Sequence, residues 1–295
     1  MTIKSVGFYL LGNKAYLSLI KFIATFGVEC ISYVVIGKDR GVDNDYSSDI
    51  LDICSKNNID IYLREQEIDR KASIKFSIGW RWMLNTGNLV VFHDSLLPKY
   101  RGFSPLVNML IEGEQRIGVT ALIASSKYDE GDILNQLSKE ITYPIKINEA
   151  IEIVSELYSE LLCITYKNYL DSPKLEGIPQ NHNIASYSLW RDREDYHIDW
   201  SESSSRIERT INALGSPYEG AKTYVNKEEL IILDAVIVKD VFVENRSKNI
   251  GKVIFMDCNE PVVVCGEGLI KLKKFRFSNN DMTRKLGFRS RFGHK

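Results

Sequence analysis

The sequence is poor in cysteine, and the cysteines it contains form no recognisable pattern. They are Cys30, Cys54, Cys163, Cys258 and Cys265. Their number is odd, they are widely spaced, and neither a CxxC pair nor a nearby histidine at metal-ligand spacing accompanies them. The sequence therefore indicates reduced thiols, a cytoplasmic protein and no bound metal.

Long apolar runs are absent as well. No run approaches the roughly 18 residues that a membrane-spanning helix needs. The first residues, MTIKSV, lead into a strand-like segment without a signal-peptide cleavage site. We therefore expect neither secretion nor a membrane partner.

Net charge is also nearly absent. The 38 basic and 39 acidic residues leave a formal charge of −1, so the whole molecule has no bulk attraction for nucleic acid or anionic lipid. The charge is unevenly distributed, however, because residues 271–295 contain nine basic residues and a single acidic residue, Asp281. This basic segment is the feature that favours a phosphate-rich partner.

Nucleotide-binding signatures are missing too. The sequence contains no GxGxxG fingerprint. Gly7 and Gly12 have the spacing of a phosphate loop, but an extra residue precedes Lys14, and Ala15 occupies the position where a magnesium-binding hydroxyl is needed. We therefore predict no nucleoside triphosphate site and no ordinary dinucleotide site.

The first half of the chain alternates short apolar runs with helical patterns. The runs VGFYLL, CISYVVIG, IDIYL, KFSIGW and LVVFH are typical of buried strands, and amphipathic helical patterns follow the first two. This alternation predicts an α/β fold with a Rossmann-like, doubly wound and mostly parallel sheet, whose ligands bind at the carboxyl ends of the strands. We assign residues 1–180 to this domain and residues 181–200 to a linker.

Residues 201–295 show a different pattern of predicted elements. One helical pattern, SSSRIERTINALG, is followed by several short strands separated by turn signals. Such spacing predicts a smaller C-terminal domain with an OB-like β-barrel, although a sandwich gives the same periodicity.

A histidine and an aspartate are notable in the first half. His93 ends the run LVVFH, and Asp129 lies in the turn YDEGD after the next strand. If the two strands are parallel neighbours, both side chains reach one sheet edge, where a carboxylate orients and stabilises an imidazolium. Taken singly, His93 also fits a core position, and Asp129 fits an ordinary turn residue before Gly131.

The motifs around these residues resemble a known enzyme family. HDSLLPKYRGFSP, GVT and YDEGDIL, with His93 and Asp129 separated by 36 positions, are similar to the formyltransferases that use N10-formyltetrahydrofolate. SLWRDREDYHIDW and INALGSPYEGA resemble the linker and the start of the C-terminal domain in methionyl-tRNA formyltransferases and sugar-nucleotide N-formyltransferases. The resemblance spans nearly the whole chain and implies the formyltransferase fold.

The resemblance also implies roles for individual residues. His93 would stabilise the oxyanion while an amine attacks the formyl carbon, and Asp129 would help to move the amine's proton, with N10-formyltetrahydrofolate as co-substrate and no metal. The implied cofactor-binding residues are Trp80, Arg81, Trp82, Met83, Leu97, Tyr128 and Asp132, and the implied substrate-binding residues are Ser95, Pro98, Lys99, Tyr100 and Arg101. Core packing is the alternative for Trp82, and solvated charge is the alternative for Lys99 and Arg101.

One position departs from the family pattern. The family places an asparagine two residues before the histidine as an additional oxyanion donor, and this chain has Val91 there. Asn88 is a poor substitute, because five strand residues separate it from His93 by some 16 Å at about 3.3 Å per residue. We expect either another donor, a low rate or a catalytically weakened relative.

Three acceptors compete within the resemblance. A glycinamide ribonucleotide enzyme needs only the catalytic domain, so the C-terminal extension argues against it. The basic segment favours methionyl-tRNA, but the near-neutral chain and the acidic stretch GKDRGVDNDYSSD, where a tRNA enzyme is expected to carry a basic loop, argue against it.

We therefore predict formyl transfer to a nucleotide-linked amino-dideoxy sugar, such as a dTDP-sugar, for surface polysaccharide (O-antigen). Methionyl-tRNA formylation is the alternative, and a catalytically weakened folate- or nucleotide-binding relative is a second alternative. The sequence leaves the oligomeric state open, with a homodimer as one option.

Overall fold

The computed structural model describes residues 5–39, 41–42, 44–225, 227–278 and 286–293. Within the basic segment, residues 279–285 and 294–295 lie outside the described residues, as do Arg40 and Asp43 of the acidic stretch.

The chain divides into two compact units. The first comprises Met1–Leu106, Arg116–Glu140 and Ala150–Leu189, and the second comprises Val107–Gln115, Ile141–Glu149 and Trp190–Lys295. The main division, between Leu189 and Trp190, falls inside the segment predicted as a linker.

The first unit is built mainly of parallel strands and their connecting helices. Its elements are β1 (Val6–Leu10), α1 (Gly12–Phe26), β2 (Ile31–Ile36), α2 (Ser47–Lys56), β3 (Ile61–Leu63), β4 (Ile74–Ile78), β5 (Leu89–His93), β6 (Arg101–Gly102), β7 (Arg116–Ile123), β8 (Ile133–Glu140) and β9 (Tyr187–Ser188). Helices α3 (Pro105–Glu112) and α4 (Ile147–Asp171) contribute residues to both units.

Seven strands form the main sheet in the order β3-β2-β1-β4-β5-β7-β8. Strands β1 to β5 are parallel, which confirms the predicted α/β class with a mostly parallel sheet. Strand β7, however, is antiparallel to both β5 and β8. The parallel relation expected between the His93 strand and the next strand is therefore wrong, because β7 starts at the same end of the sheet at which β5 stops.

The two faces of this sheet have different coverings. On one face, the rings of Phe8, Phe76 and Phe92 pack on one another and on Phe22 of α1 and Tyr166 of α4. These apolar contacts explain why the strands read as nearly continuous hydrophobic runs, as is usual for strands buried on both faces.

The opposite face carries Tyr9, Tyr33 and Leu89, against which Val91 and Trp80 pack. Because side chains alternate along a strand, His93 projects from this second face together with Leu89 and Val91. A site can therefore form at the His93 end of this face.

The second unit combines a helix with an antiparallel sheet. Its elements are α5 (Ser204–Ala213), β10 (Ala221–Val225), β11 (Glu228–Val238), α6 (Arg246–Asn249), β12 (Val253–Asp257), β13 (Glu260–Val264) and β14 (Leu269–Phe277). The five strands are ordered β10-β11-β14-β13-β12. The Ser203 side chain caps α5 by accepting a hydrogen bond from the N–H of Arg206.

The predicted OB-like barrel is not confirmed, because the edge strands β10 and β12 do not pair with each other in the described parts of the chain. Instead, residues 291–293, which we call the edge-linking segment, contact both edges of this sheet. Phe292 N–H donates to the carbonyl of Gly251 at 2.7 Å, just before β12, and Gly293 N–H donates to the carbonyl of Tyr224 in β10 at 2.9 Å.

None of the helices within the described ranges combines the length and apolarity that a bilayer crossing requires.

Candidate active site

Strands β4 and β5 end side by side at one edge of the main sheet. Their register pairs Ser77 with Val91, so that Gly79 and His93 lie at the same level. The segment that begins with Trp80 leaves β4 at this point. The parallel strand ends therefore place the predicted folate segment next to the predicted catalytic histidine, as expected for an open α/β sheet.

His93 is nearly enclosed, with 7% of its surface exposed. Its Nε2 lies 2.7 Å from the carbonyl oxygen of Tyr100, and because a carbonyl only accepts hydrogen bonds, Nε2 is assigned the proton. Its Nδ1 lies 3.5 Å from Oδ1 of Asp129, which is longer than a tight hydrogen bond. The Asp129 carboxylate therefore faces the second ring nitrogen of His93.

Hydrogen bonds to its backbone carbonyl and to its second carboxylate oxygen hold Asp129 in place. Its φ of 55° lies in the left-handed region, Gln180 Nε2 donates to its carbonyl at 2.7 Å, and its Oδ2 accepts from the N–H of Gly102 at 2.8 Å. A Cβ atom at Gly102 would lie 2.6 Å from the carbonyl oxygen of Ser188. The structure thus brings His93 and Asp129 together through a loop that follows an antiparallel strand.

The predicted substrate-binding residues lie in the loop that follows β5 directly, residues 94–101, which we call the acceptor loop. Ser95 is fully buried, and its hydroxyl donates to the carbonyl of Lys99 at 2.7 Å. Tyr100 has a φ of 58°, and its N–H donates to Oγ of Ser186 at 2.9 Å. Pro98 is half-buried, whereas Lys99 is exposed. Ser95 therefore shapes the loop from inside, and Lys99 presents its ammonium group to solvent.

Arg101 is completely buried, which excludes a solvated charge at this position. Its guanidinium donates to Oε1 of Gln180 from Nε at 3.1 Å and from Nη2 at 2.7 Å, and to the hydroxyl of Tyr187 at 3.1 Å. Glu130 lies 3.7 Å away. The guanidinium therefore links the acceptor loop to the segments that hold Asp129, and its burial indicates a positioning role.

Trp80 and Trp82 form an aromatic wall beyond β4. Their rings are 5.0 Å apart in an edge-to-face arrangement, Trp80 also packs on Tyr9, and the Arg64 guanidinium covers the Trp82 ring at 4.6 Å. The indole N–H of Trp80 is buried without a hydrogen-bond partner in the described part of the chain. Because an unpaired buried donor is unfavourable, this wall fits a flat heteroaromatic ligand that carries acceptor atoms, as a pterin does.

Other predicted folate residues surround this wall less closely. Arg81 forms an ion pair with Asp39 at 2.5 Å, and the Met83 side chain is exposed. Tyr128, next to Asp129 in the chain, is also exposed, and its ring centroid lies 6.2 Å from that of Phe103.

Leu97 and Asp132 support the loops. Leu97 is buried, and its N–H donates to the Thr120 hydroxyl at 3.1 Å. The carbonyl of Asp132 accepts from the N–H of Ile123 at 2.9 Å, while its side chain is half-buried. Direct contact of these residues with a ligand stays a prediction.

Val91 packs within the apolar cluster on the His93 face. Asn88 lies at the opposite end of β5, where its amide donates to the carbonyl of Ser73 at 3.1 Å. Asn88 therefore does not replace the asparagine that the family pattern places at position 91.

Residues that the sequence reasoning missed lie directly behind His93. The Asp94 carboxylate accepts hydrogen bonds from the ammonium group of Lys14 and from the hydroxyl of Tyr158. Burial by itself raises the pKa of Asp94, but the charge and hydrogen bond of Lys14 and the hydrogen bond of Tyr158 hold it below its ordinary value. The sequence could have indicated Asp94 as a site residue, because it follows His93 immediately. No feature of the sequence indicated that Gln180 contacts the site.

No group of three or more His, Cys, Asp or Glu side chains in the described ranges is arranged to hold a metal ion.

Several sequence relatives are methionyl-tRNA formyltransferases. The enzyme of Staphylococcus epidermidis is 33% identical over 174 residues, which are 59% of this chain and 54% of that protein. This match therefore spans about half the length of the curated relative. The enzyme of Streptococcus agalactiae is 26% identical over 274 residues, with 87% of this chain and 86% of that protein covered.

Solved structures show the same fold. An N-formyltransferase from Helicobacter canadensis, in complex with folinic acid and dTDP-3-aminofucose, matches with a TM-score of 0.70 at 21% identity, covering 92% of this chain and 99% of that chain. HypX from Aquifex aeolicus, in complex with tetrahydrofolic acid, matches with a TM-score of 0.62 at 15% identity, covering 94% and 45%.

Two family models match this chain. The model described as formyl transferase matches residues 84–161, which include His93 and Asp129, and the model described as formyl transferase, C-terminal domain, matches residues 191–290. Together they cover more than half of the sequence. With both domains of one family in the expected order on this fold, the chain belongs to the formyl transferase family.

Proposed function

We propose that the protein uses N10-formyltetrahydrofolate to formylate the amino group of a nucleotide-linked amino sugar. The observation that carries this proposal is the enclosed His93–Asp129 pair at the sheet edge, next to the aromatic wall with its unpaired indole N–H. Membership of the formyl transferase family supports the reaction class.

The chemistry follows from the placement of protons. The folate, when bound, supplies the formyl group. The Nε2–H of His93 donates to the Tyr100 carbonyl at 2.7 Å in the structure. In the proposed reaction the formyl oxygen replaces that carbonyl as its acceptor and becomes negative as the amine attacks. In this proposal Asp129, which faces Nδ1 of His93 at 3.5 Å, takes the proton that the amine loses. The folate nitrogen that leaves takes up one proton, and the attacking amine gives up one. The overall transfer therefore neither consumes nor releases protons.

The acidic stretch after β2 supports a small acceptor. Its described carboxylates are Asp45, Asp49 and Asp39, of which Asp39 is paired with Arg81. Burial alone raises the pKa of Asp45, but hydrogen bonds from Ser47 and from the N–H of Asp39 hold it below its ordinary value, so this carboxylate stays ionised at neutral pH. Negative charges here oppose a dense phosphate backbone, because binding of nucleic acid depends on cationic contacts to many phosphates.

Two of the three lysines of β14 also favour a small acceptor over tRNA. Lys271 pairs with Asp257 at 2.8 Å, and Lys273 pairs with Glu260 at 2.8 Å. Neighbouring carboxylates therefore reduce the local positive charge that the sequence predicted for this strand. A diphosphate needs far fewer cationic contacts than a tRNA does.

Methionyl-tRNA is the second candidate acceptor. The observation in its favour is the identity of 33% to the methionyl-tRNA formyltransferase of Staphylococcus epidermidis. A loss of catalysis is the third candidate, and Val91 is the residue that favours it.

A direct assay separates these candidates. The purified protein is incubated with N10-formyltetrahydrofolate and either dTDP-linked amino sugars or charged initiator tRNA, and the products are measured by mass spectrometry. We expect a mass gain of one formyl group on a sugar nucleotide, and turnover of the tRNA alone would contradict the proposal. Tetrahydrofolate binding without transfer to any amine would instead indicate a binding protein.

Matched variants tie the activity to the site. We expect His93→Asn and Asp129→Asn to lower kcat by about 10²- to 10⁴-fold, the usual contribution of a general acid or base, while folate binding persists. An unchanged kcat in both variants would show that His93 and Asp129 are not the catalytic residues.

A further inference from the structure

A partly buried ion pair lies behind the strand end that carries His93. The Lys14 side chain, in the first turn of α1, donates to Oδ2 of Asp94, and their side chains are 22% and 15% exposed. Asp94 follows His93 immediately in the chain. Because successive strand residues point to opposite faces, this pair lies on the side of β5 away from Asp129.

Tyr158 of α4 completes the group. Its hydroxyl donates to Oδ1 of Asp94 and lies 3.2 Å from the carbonyl oxygen of Phe92. Its ring packs on the Phe92 ring at 5.6 Å, and only 1% of its surface is exposed. Burial and the charge of Asp94 raise the pKa of Tyr158 well above its ordinary value, so it stays a donor at working pH. One hydroxyl therefore contacts the residues on both sides of His93.

We propose that Lys14, Asp94 and Tyr158 form a positioning unit that fixes the backbone on either side of His93 and thereby orients its imidazole toward the formyl carbonyl. The inference rests on the proposed function and adds residues that act through His93 without touching a substrate. Three elements, α1, β5 and α4, converge on one carboxylate in this unit.

The energetic reason is the precision that catalysis needs. A displacement of about 1 Å at a reacting group can cost on the order of 10²-fold in rate. On the opposite side, Nε2 of His93 makes a 2.7 Å contact with Tyr100, but Nδ1 lies 3.5 Å from Asp129. The looser contact to Asp129 leaves much of the orientation to the backbone, which the positioning unit holds.

The first test compares two tyrosine hydroxyls on the same helix. Tyr158→Phe keeps the ring and removes the hydroxyl beside His93. Tyr166→Phe is the matched control, since Tyr166 is equally buried in α4 and its hydroxyl interacts with Cys30, away from His93. We expect Tyr158→Phe to lower kcat by about 10- to 100-fold with KM changed less than about twofold, and Tyr166→Phe to leave both unchanged.

A second readout does not depend on activity. In protein labelled with ¹⁵N-histidine, the ring N–H of His93 is observed by NMR and assigned by its absence in His93→Gln. We expect this proton to exchange with water at least about tenfold faster in Tyr158→Phe than in wild type, and at the wild-type rate in Tyr166→Phe. If the wild type formylates no amine, the proposed function fails, whereas the NMR comparison still decides the positioning role.

A charge-neutral double variant provides an independent check. Asp94→Asn alone leaves the Lys14 charge unpaired and is expected to destabilise the fold, whereas Lys14→Met/Asp94→Asn removes both charges. We expect the double variant to fold with a Tm near that of wild type but with kcat reduced at least about tenfold. Wild-type kcat and wild-type exchange of the His93 ring proton, in both this variant and Tyr158→Phe, would overturn the proposal.

Discussion

Val91 and His93 project from the same face of β5, two residues apart, and the register partner of Val91 in β4 is the buried Ser77. An asparagine at position 91 would bring an amide donor to this face. One oxyanion donor contributes roughly 10²- to 10³-fold to kcat where it is well placed.

We therefore expect Val91→Asn to raise the formyl-transfer kcat by about tenfold, at the expense of some stability, because Val91 packs in an apolar cluster. Steady-state kinetics measure the change. Val91→Ala removes the same apolar contacts without adding a donor, and an equal change in both variants would show that packing rather than the amide is responsible.

Asp94 predicts a specific pH dependence of stability. Its pKa is depressed in the folded protein by Lys14 and Tyr158 despite its burial, so its contribution to folding is complete above its unfolded pKa of about 3.9. That contribution is lost as the pH falls through the lower, folded value. We expect the difference in unfolding free energy between wild type and Asp94→Asn, measured with urea, to shrink from pH 6 to pH 3. A constant difference would show that Asp94 is not held ionised.

At the scale of elements, Gln180 connects the turn of Asp129 to the acceptor loop. Its Nε2 donates to the carbonyls of Asp129 and Gly131, each at 2.7 Å, while its Oε1 accepts from Arg101. A Cβ atom on Gly131 would lie 1.7 Å from the Ile123 carbonyl oxygen, so this turn has little freedom to rearrange.

We expect Gln180→Met to lower the unfolding free energy by about 1–3 kcal/mol, because buried partners lose their hydrogen bonds, and to lower kcat at least about tenfold. Urea unfolding and steady-state kinetics measure the two effects. Asn57→Met, which removes a side-chain bond to the Ile53 carbonyl at the end of α2, is the control and should leave kcat intact. Full activity in Gln180→Met would mean that the turn holds Asp129 without this amide.

The sequence predicted most strands of the main sheet but not all of its geometry. Runs such as LVVFH identify β5, because apolar residues of high strand propensity between turn residues have few other structures available. The pattern carries no strand direction, which is why the antiparallel course of β7 was not foreseen. The pairing of β6 with β9 involves two residues on each strand, too few for any periodicity.

The site was predicted to a similar extent. His93 and Asp129 followed from motif resemblance, and the structure brings them within 3.5 Å. The burial of Arg101 was not predictable, because it depends on Gln180 and Tyr187, about 80 residues further along the chain. Contacts of such sequence separation leave no local pattern.

At the scale of the whole molecule, the cysteines predict a distinct chemical reactivity. Burial raises the pKa of Cys54 and of Cys265 to about 12, and Cys258 is exposed. Because the thiolate is the reactive form, we expect one fast-reacting thiol with Ellman's reagent at pH 8 and five reactive thiols in denaturant. Cys258→Ser should remove the fast phase, and several fast thiols in native protein would contradict the raised pKa of the other four cysteines.

The acceptor, in contrast, is a property that neither composition nor fold determines. Methionyl-tRNA and sugar-nucleotide formyltransferases share this architecture, so the choice depends on local charge. We expect turnover of a sugar nucleotide to change only modestly between 50 and 200 mM salt, whereas a tRNA acceptor would show a loss of about 10³-fold or more in affinity.

The edge-linking segment has a consequence for how the protein is made. Its hydrogen bonds reach Gly251 and Tyr224 from residues 292 and 293, so the strands of the second unit are synthesised long before the residues that join their borders. Until residues 292 and 293 have left the ribosome, the carbonyls of Gly251 and Tyr224 lack these partners, and unpaired backbone groups at a sheet border can pair with other chains. The edge-linking segment therefore covers part of each border only after all five strands have been made.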